Sequence, residues 1–264
     1  MYYHMRDPLR AEEWRQLLGI IRAVGNSTVT RRLIRIGKPT GAGSQAIPLA
    51  HISITEGYKD RPPDRQKSAI VPIIFKDFTM HWRDLEESRL KRSPLPAAQA
   101  AAAAAACARS EDQLALFGAL DHHGLMNAPG RNRIRNLRWD RPGDAFNNFA
   151  QILKLMLNRG HRGPFAAIVH PKVYSDMHRV FGQSALLEIA HVRALMGAGI
   201  YRSSLLEPGT GAVISTGRQN LELIVSVDTS IAFLGARKMN LPFRIFKALC
   251  LRLYREDAIC TFEP

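Results

Sequence analysis

Cysteine is nearly missing from this chain, with three in 264 residues: Cys107, Cys250 and Cys260. None has a CxxC neighbour or a metal-ligand spacing, and three cannot pair completely. That excludes a disulfide scaffold and predicts buried, inert thiols in a reducing compartment. Long apolar runs are missing too. The longest, residues 100–106, is seven alanines and far too short to span a bilayer. The first eight residues lack the apolar stretch of a secretory signal, so the expected location is cytoplasmic, with no membrane partner. At 46% hydrophobic and 23% charged, the composition also rules out a disordered or collagen-like chain.

Catalytic signatures are absent. There is no G-x-S-x-G, and Gly209-Thr-Gly211 is not followed by the Lys-Ser/Thr of a phosphate loop. Gly41-Ala-Gly43 lacks the third glycine of a dinucleotide fingerprint and opens no helix. The acid pairs Glu86-Glu87 and Glu256-Asp257 lie in polar segments and read as surface charge. His122-His123 sits in a loop without a ligand partner three or four residues away, and the other histidines are scattered. No metal, cofactor or catalytic residue is therefore assigned, and the chain reads as a non-enzyme. Trp82 could in principle stack on a flat cofactor, but a core or interface role is the commoner fate of such a residue.

Acidic residues are also in deficit, 23 against 37 Lys+Arg, for a formal charge of +14. The basic side is 28 Arg and 9 Lys, and Arg is the better partner for phosphate or carboxylate. The charge is spread out, densest over residues 1–38 and 131–141, with no zinc-finger or RNA-recognition signature beside it. A solvated surface, arginine contacts between subunits, and a nucleic-acid or phosphate-like partner all remain open.

The patterning is α+β. Trp14, Leu17, Leu18 and Ile21 make one apolar stripe of a helix over residues 11–24. A strand is expected at 32–36. Two more, at 47–55 and 68–75, flank a polar turn region with a charged tip, a long hairpin with too little core to stand alone. Phe78, Met80 and Trp82 alternate like a strand, followed by helical residues 84–89. Residues 97–117 predict one long alanine-rich helix after Pro94 and Pro96. Beyond Arg141 come helices at 144–158, 171–180 and 185–196, with strands at 164–170, 200–204, 212–215, 221–227, 230–234, 243–254 and 258–262. Leu221, Leu223, Val225 and Val227 are expected on one strand face. No internal repeat is visible.

This order of elements, an arm helix, a long two-stranded loop, a spine helix and an α/β domain returning to C-terminal strands, resembles the HK97-like capsid fold. Within it the chain is similar to the encapsulins, bacterial nanocompartment shell proteins of the linocin-M18 type. The residues carrying the resemblance are Ile224-Val-Ser-Val-Asp-Thr-Ser-Ile-Ala-Phe233, Gly199-Ile-Tyr-Arg-Ser-Ser-Leu-Leu-Glu-Pro208, the helix ending Glu111-Asp112 to Phe117-Gly118, Gly160-x-x-Gly163-Pro164-Phe165, and Glu13-Trp14.

The resemblance implies an HK97-like capsid protomer. Residues 1–47 would be the N-terminal arm and first P-domain part, 48–73 the E-loop clasping a neighbour, and 74–134 the P domain with its spine helix. Residues 135–220 would be the A domain and 221–264 the C-terminal P-domain strands. It implies self-assembly into an icosahedral shell of sixty copies or more around a cargo such as a dye-decolorising peroxidase or ferritin-like protein, held by a targeting peptide. Cargo docking would fall on Trp14, Leu17, Ile21 and Ile231, and the loop Phe181-Gly182-Gln183-Ser184-Ala185 would approach the five-fold pore. Some members stack a flavin where Trp82 stands.

The chain also departs from the family pattern. Arg35 follows Leu33-Ile34 where an acid is usual, a tryptophan is missing from the turn at 37–42, and Arg218-Gln-Asn-Leu221 replaces Gly-Gly-Asp-Phe. These changes fall near the expected cargo wall, which puts the usual cargo peptides in doubt. The nearest rival reading is a phage or prophage major capsid protein packaging DNA. A further one is a basic nucleic-acid-binding protein that never assembles.

Overall fold

The computed structural model describes residues 8–37, 46–49, 67–119, 122–135, 137–182 and 185–264. Helix α1 (Ala11–Gly25) leads through a short α2 (Val29–Leu33) to strands β1 (Ala46–Leu49) and β2 (Lys67–Ile70). Strand β3 (Ile73–Met80), helix α3 (Trp82–Lys91) and the spine α4 (Ala98–Phe117) follow. Next come β4 (Asn132–Ile134), α5 (Asp144–Asn158), β5 (Phe165–Val169), α6 (Pro171–Asp176) and α7 (Glu188–Met196). The chain closes with β6 (Gly197–Arg202), β7 (Gly211–Ser215), the long β8 (Leu221–Phe233) and β9 (Leu241–Leu253), a 3-10 turn (Glu256–Ala258), and β10 (Ile259–Phe262).

These strands make three sheets: the pair β1-β2, a five-stranded sheet β4-β10-β7-β5-β6, and a three-stranded antiparallel sheet β3-β9-β8. In the five-stranded sheet both faces are covered, and the twofold alternation of strand side chains sorts them. Phe165, Ala167 and Val169 of β5 join Val213, Cys260 and Phe262 under α5, α6 and α7. Ala166, Ile168, Ala212, Ile214 and Ile259 point the other way, onto Leu221, Leu223, Leu249, Leu251 and Leu253 of β8 and β9. At their far ends β8 and β9 change neighbours. Phe243, Ile245, Ile231 and Phe233 pack with Leu17 and Ile21 of α1 and with Ala100, Ala103, Ala104 and Cys107 of α4. The small alanine side chains let α4 lie close on α1 and on the sheet.

Between these two cores lies a buried ionic junction. Glu111, on the same inward stripe of α4 as Cys107, accepts hydrogen bonds from Lys247 Nζ (2.6 Å), Arg31 Nε (2.8 Å) and Thr28 Oγ1 (3.0 Å). Lys247 and Glu111 side chains are both 0% exposed. The Lys247 ammonium also donates to the Gly25 carbonyl at 2.7 Å, the negative end of the α1 dipole. Burial alone would depress the Arg31 pKa, but Glu111 and Asp228 beside it hold it above its ordinary value. Next along α4, Asp112 accepts the Val29 and Thr30 N–H groups and the Thr30 hydroxyl, capping α2 from another element.

Several expectations are corrected here. Residues 32–36 are not a strand, because the Asp112 cap and Thr28 start a helix at Val29; only Ile36 makes a bridge, to Leu223. The hairpin base is present as β1 against β2, while most of its expected tip lies outside the described residues. Residues 73–75 belong to β3, not to that hairpin. Trp82 opens α3 rather than continuing a strand. Strand β8 is one element across 221–233, with register shifts against β9 between Val225 and Val227 and again between Val227 and Ser230. Val227 is thereby turned to the opposite face, beside Ile224, Ala248 and Cys250, and the second shift restores Ile231 opposite Ile245. Helices α6 and α7 are shorter than expected. Strands β4 and β10, grouped by sequence with 74–134 and 221–264, hydrogen-bond to each other in the five-stranded sheet. The three cysteines are buried and free; burial pushes the Cys250 thiol up to about 11 and Cys260 up to about 12, so they are inert as expected.

Replacing Lys247 by Met leaves Glu111 with one cation where it had two and removes a buried charge pair. The expected cost is about 3–5 kcal/mol, read as a lowered urea midpoint. The double variant Lys247→Met/Glu111→Leu, which removes both charges, should recover much of that loss; a double variant no better than the single one would refute the role given to the junction.

Candidate assembly and cargo surface

The four residues expected to dock cargo separate into two kinds. Leu17 and Ile21 are 0% exposed, locked in the core beneath α1 and α4. Trp14 and Ile231 are half-buried at the edge of that same core. The Trp14 indole stands edge-on to Phe243, with centroids 5.7 Å apart, and its Nε1 is buried without a hydrogen-bond partner. Glu13 beside it is held by a bidentate pair to Arg89 of α3 at 2.7 and 2.8 Å, which lowers its pKa and fixes α1 against α3. Ile20, Val24, Phe233 and Leu241 are likewise partly buried against this core, residues that sequence reading did not single out.

The expected pore loop is held together at its two flanks. Val180 and Leu187 form an antiparallel bridge, the Phe181 N–H donates to the Leu186 carbonyl, and Gly182 adopts φ +58°. The Phe181 ring packs on Phe146 (5.3 Å) and His191 (4.9 Å), while Gly182 and Ala185 are exposed. Gln183 and Ser184 lie outside the described residues. The buried Glu188 behind the loop accepts the Phe146 N–H at 2.8 Å, so one carboxylate joins the start of α7 to the first turn of α5. Val180, Leu186 and Leu187 are exposed apolar side chains around the turn.

A third surface was not anticipated. On β3, an edge strand of its sheet, Ile73 is 67% exposed and Phe75 50%, with the Arg244 guanidinium 4.3 Å above the Phe75 ring and paired to Asp77. The sequence signal was there: Ile73-Ile-Phe75 continues an apolar run past the point where one face is filled. Trp82, at the first turn of α3, is partly exposed with Arg83 above its ring at 5.8 Å. Among the described residues there is no cluster of three metal-ligating side chains, and no helix is long and apolar enough to cross a membrane.

Residues 1–250 match the family model described as encapsulating protein for peroxidase, of the linocin-M18 type. The chain belongs to this encapsulin family. It is 40% identical, over 98% of its length and 95% of the relative's, to a type 1 encapsulin shell protein of Myxococcus xanthus. Among solved structures, a virus-like particle from Pyrococcus furiosus is similar over 96% of this chain and 100% of that one, with TM-score 0.80 and 18% identity. The capsid of the myovirus XM1 gives TM-score 0.64 at 13% identity, over 87% of this chain and 88% of that one, so the fold is shared with phage capsids. The encapsulin family is structural, which agrees with the reading of a non-enzyme, and the HK97-like α+β fold stands.

One buried group in the five-stranded-sheet domain, unremarked among the scattered histidines, gives this protomer a pH dependence. His161 is 2% exposed, its Nε2 lies 3.0 Å from Asp257, and its Nδ1 is buried without a partner. Asp257 is itself paired with Arg255, and Glu256 accepts the Gly130 N–H, so this acid pair is structural rather than surface charge. Burial pushes the His161 pKa down; Asp257 opposes, while Arg255 and Arg159 assist. Below about pH 6.5 the unfolded chain therefore takes up a proton that the folded one resists, and stability declines as pH drops through that window. Urea unfolding at a series of pH values should show this slope, and His161→Gln should flatten it; an unchanged slope in the variant would discount His161.

Proposed function

We propose that the chain assembles with itself into a closed icosahedral shell, sixty copies or more, that encloses a cargo protein in the cytoplasm. The observation that carries this reading is the near full-length 40% identity to an encapsulin shell protein. Low-identity likeness of fold alone would serve a DNA-packaging capsid equally well. The exposed Ile73 and Phe75 on an edge strand, and a hairpin whose sequence offers little core of its own, fit a protomer whose remaining apolar surface is covered by neighbours. In this reading 1–47 is the arm and first P-domain part, 48–73 the E-loop, 74–134 the P domain, 135–220 the A domain and 221–264 the returning strands, with β4 and β10 lending their edges to the A-domain sheet.

The cargo peptide docks across Trp14 and Ile231, with Leu17 and Ile21 forming the floor beneath rather than touching it. The family's description names a peroxidase as what is encapsulated; a peroxidase or a ferritin-like protein is the cargo proposed here. The loop Phe181–Ala185 lines a pore at the symmetry axis. Phosphate-like anions or nucleic acid are the proposed counterpart of the basic charge.

Negative-stain microscopy of the purified protein tests the shell directly. Closed, uniform particles many times the ~5 nm expected of a compact chain of this length are the expected outcome; particles of only that size at neutral pH and moderate salt would end the shell reading. The ratio of absorbance at 260 and 280 nm then separates the rival. A protein-dominated spectrum supports the encapsulin reading, and a nucleic-acid-dominated one supports a DNA-filled capsid.

A further inference from the structure

The carboxylates of this protein are largely committed inside the protomer. Glu111 and Asp228 serve Arg31 and Lys247, Glu13 and Glu86 serve Arg89, Asp77 serves Arg244, and Glu222 serves Arg252 and Tyr254. Asp112, Asp144, Glu188 and Glu256 accept backbone N–H groups. Among the described residues, only Glu12, Asp84, Asp140 and Glu207 have carboxylates outside any such bond. Assembly of identical copies leaves the excess intact, since every added subunit brings the same +14. Compensating anions have to come from outside the chain.

At one place two arginines and a histidine converge on a common support. Tyr174 of α6 is half-buried, and three side chains from three positions gather on it. Arg193 of α7 donates an N–H to the Tyr174 hydroxyl at 3.0 Å. The guanidinium of Arg202, at the end of edge strand β6, lies over the Tyr174 ring with 5.2 Å to its centroid. The His178 ring packs tilted against the Tyr174 ring, with centroids 4.9 Å apart, and its Nδ1–H donates to the Tyr174 carbonyl at 2.8 Å. Arg193, Arg202 and His178 are all exposed, and no carboxylate of the described chain bonds to any of them; the nearby Asp176 is engaged with Arg179.

Two guanidinium groups held on one ring repel each other, and neither has an anion of its own. Their planar forks are pre-ordered by the tyrosine, which reduces the entropy lost when they close on an oxyanion. Phosphate oxygens match that fork geometry and accept charge-assisted hydrogen bonds from both. We propose that Arg193 and Arg202, positioned by Tyr174 and flanked by His178, form a binding site for a phosphate group. The site lies within one protomer, so it deepens the anion partner named above without depending on shell assembly. The phosphate belongs either to a free inorganic ion or to a nucleic-acid backbone.

Titration calorimetry on the purified full-length protein distinguishes these sources, with inorganic phosphate in one arm and a single-stranded DNA oligonucleotide in the other. The variant Arg193→Gln/Arg202→Gln should lose about tenfold or more in affinity for whichever probe binds. Tyr174→Phe, which keeps the ring and loses the hydroxyl, should lose less. A control, Arg15→Gln/Arg22→Gln, removes the same charge from exposed positions of α1 and should leave binding unchanged. Saturable phosphate binding lost in the first variant assigns the free ion; oligonucleotide binding alone, lost in the same variant, assigns the nucleic-acid backbone. Equal losses in the first variant and the control would reduce the effect to general electrostatics and overturn the site, as would no binding of either probe. Unchanged thermal midpoints confirm that these surface variants fold.

Discussion

A single buried contact, the Lys247 ammonium between the Glu111 carboxylate and the last turn of α1, sets the terms for the rest of the protomer. Strands β8 and β9 are each 13 residues long, too long to pack on one neighbour, and the junction stands where they pass from one to the other. On one side of it leucines face the five-stranded sheet; on the other, aromatic and branched residues face α1 and α4. A charge placed between two apolar cores tolerates little sliding. If α4 slips by one turn along the sheet, Glu111 leaves Lys247 and both charges are stranded without water, a cost of several kcal/mol. Apolar packing alone would allow neighbouring registers at less penalty, especially for a helix whose contact face is mostly alanine. The ion pair therefore acts as a register pin on a smooth helix.

The two shifts in β8 belong to the same constraint. Between them, Val227 faces away, Asp228 reaches Arg31, and the Thr229 hydroxyl donates to Asn26 just past the end of α1. Gly25 has to be glycine for this approach, since a Cβ there would come within 2.9 Å of the Thr229 side chain. Local irregularity in the strand is what lets the corner between α1 and α2 seat against it. That seating also fixes where Trp14, near the start of the same α1, packs on the core that Ile231 joins after the second shift. The surface proposed for cargo is thus a downstream product of how a buried charge is accommodated.

Much of this was legible in residue order, and the misses have physical causes. The helices at 11–25, 98–117 and 144–158 follow from their stripes and stops, and β5 and β10 from short apolar runs, because each depends on local spacing. Lys247 was legible too: it interrupts the inward series Phe243, Ile245, Leu249, Leu251 at a position where an apolar residue belongs, and a lysine there requires a buried acid. Which acid it takes is not local information. Likewise Val29–Leu33 has strand-forming residues, and beside the local Thr28 cap it takes Asp112, some eighty positions away, to start it as a helix. The face change at Val227 needs an unequal count of residues on two strands, which alternation within one strand cannot reveal. At the candidate surface the aromatic Trp14 and the loop at 181–185 were visible as types in context. The separation of half-buried Trp14 from sealed Leu17 and Ile21 depends on α4 lying close, and the Tyr174 cluster joins α6, α7 and β6, elements that meet only in the fold.

The charge excess takes on a different meaning once its partners are located. In a chain with paired acids scattered over its surface, +14 is a solvated property that salt screens within about 8–10 Å. Here most of the described acids, exposed ones such as Asp77 and Glu86 included, are already engaged within the protomer, so few are free to answer the cations of a neighbouring copy. Closing many such protomers into one shell multiplies that field without adding a counter-charge. The same carboxylates that stabilise the protomer are those unavailable to quiet its surface. Stability within the subunit and repulsion between subunits are therefore coupled through one set of residues, and a shell of this sequence has to be assembled, and held, in the company of anions it does not itself provide.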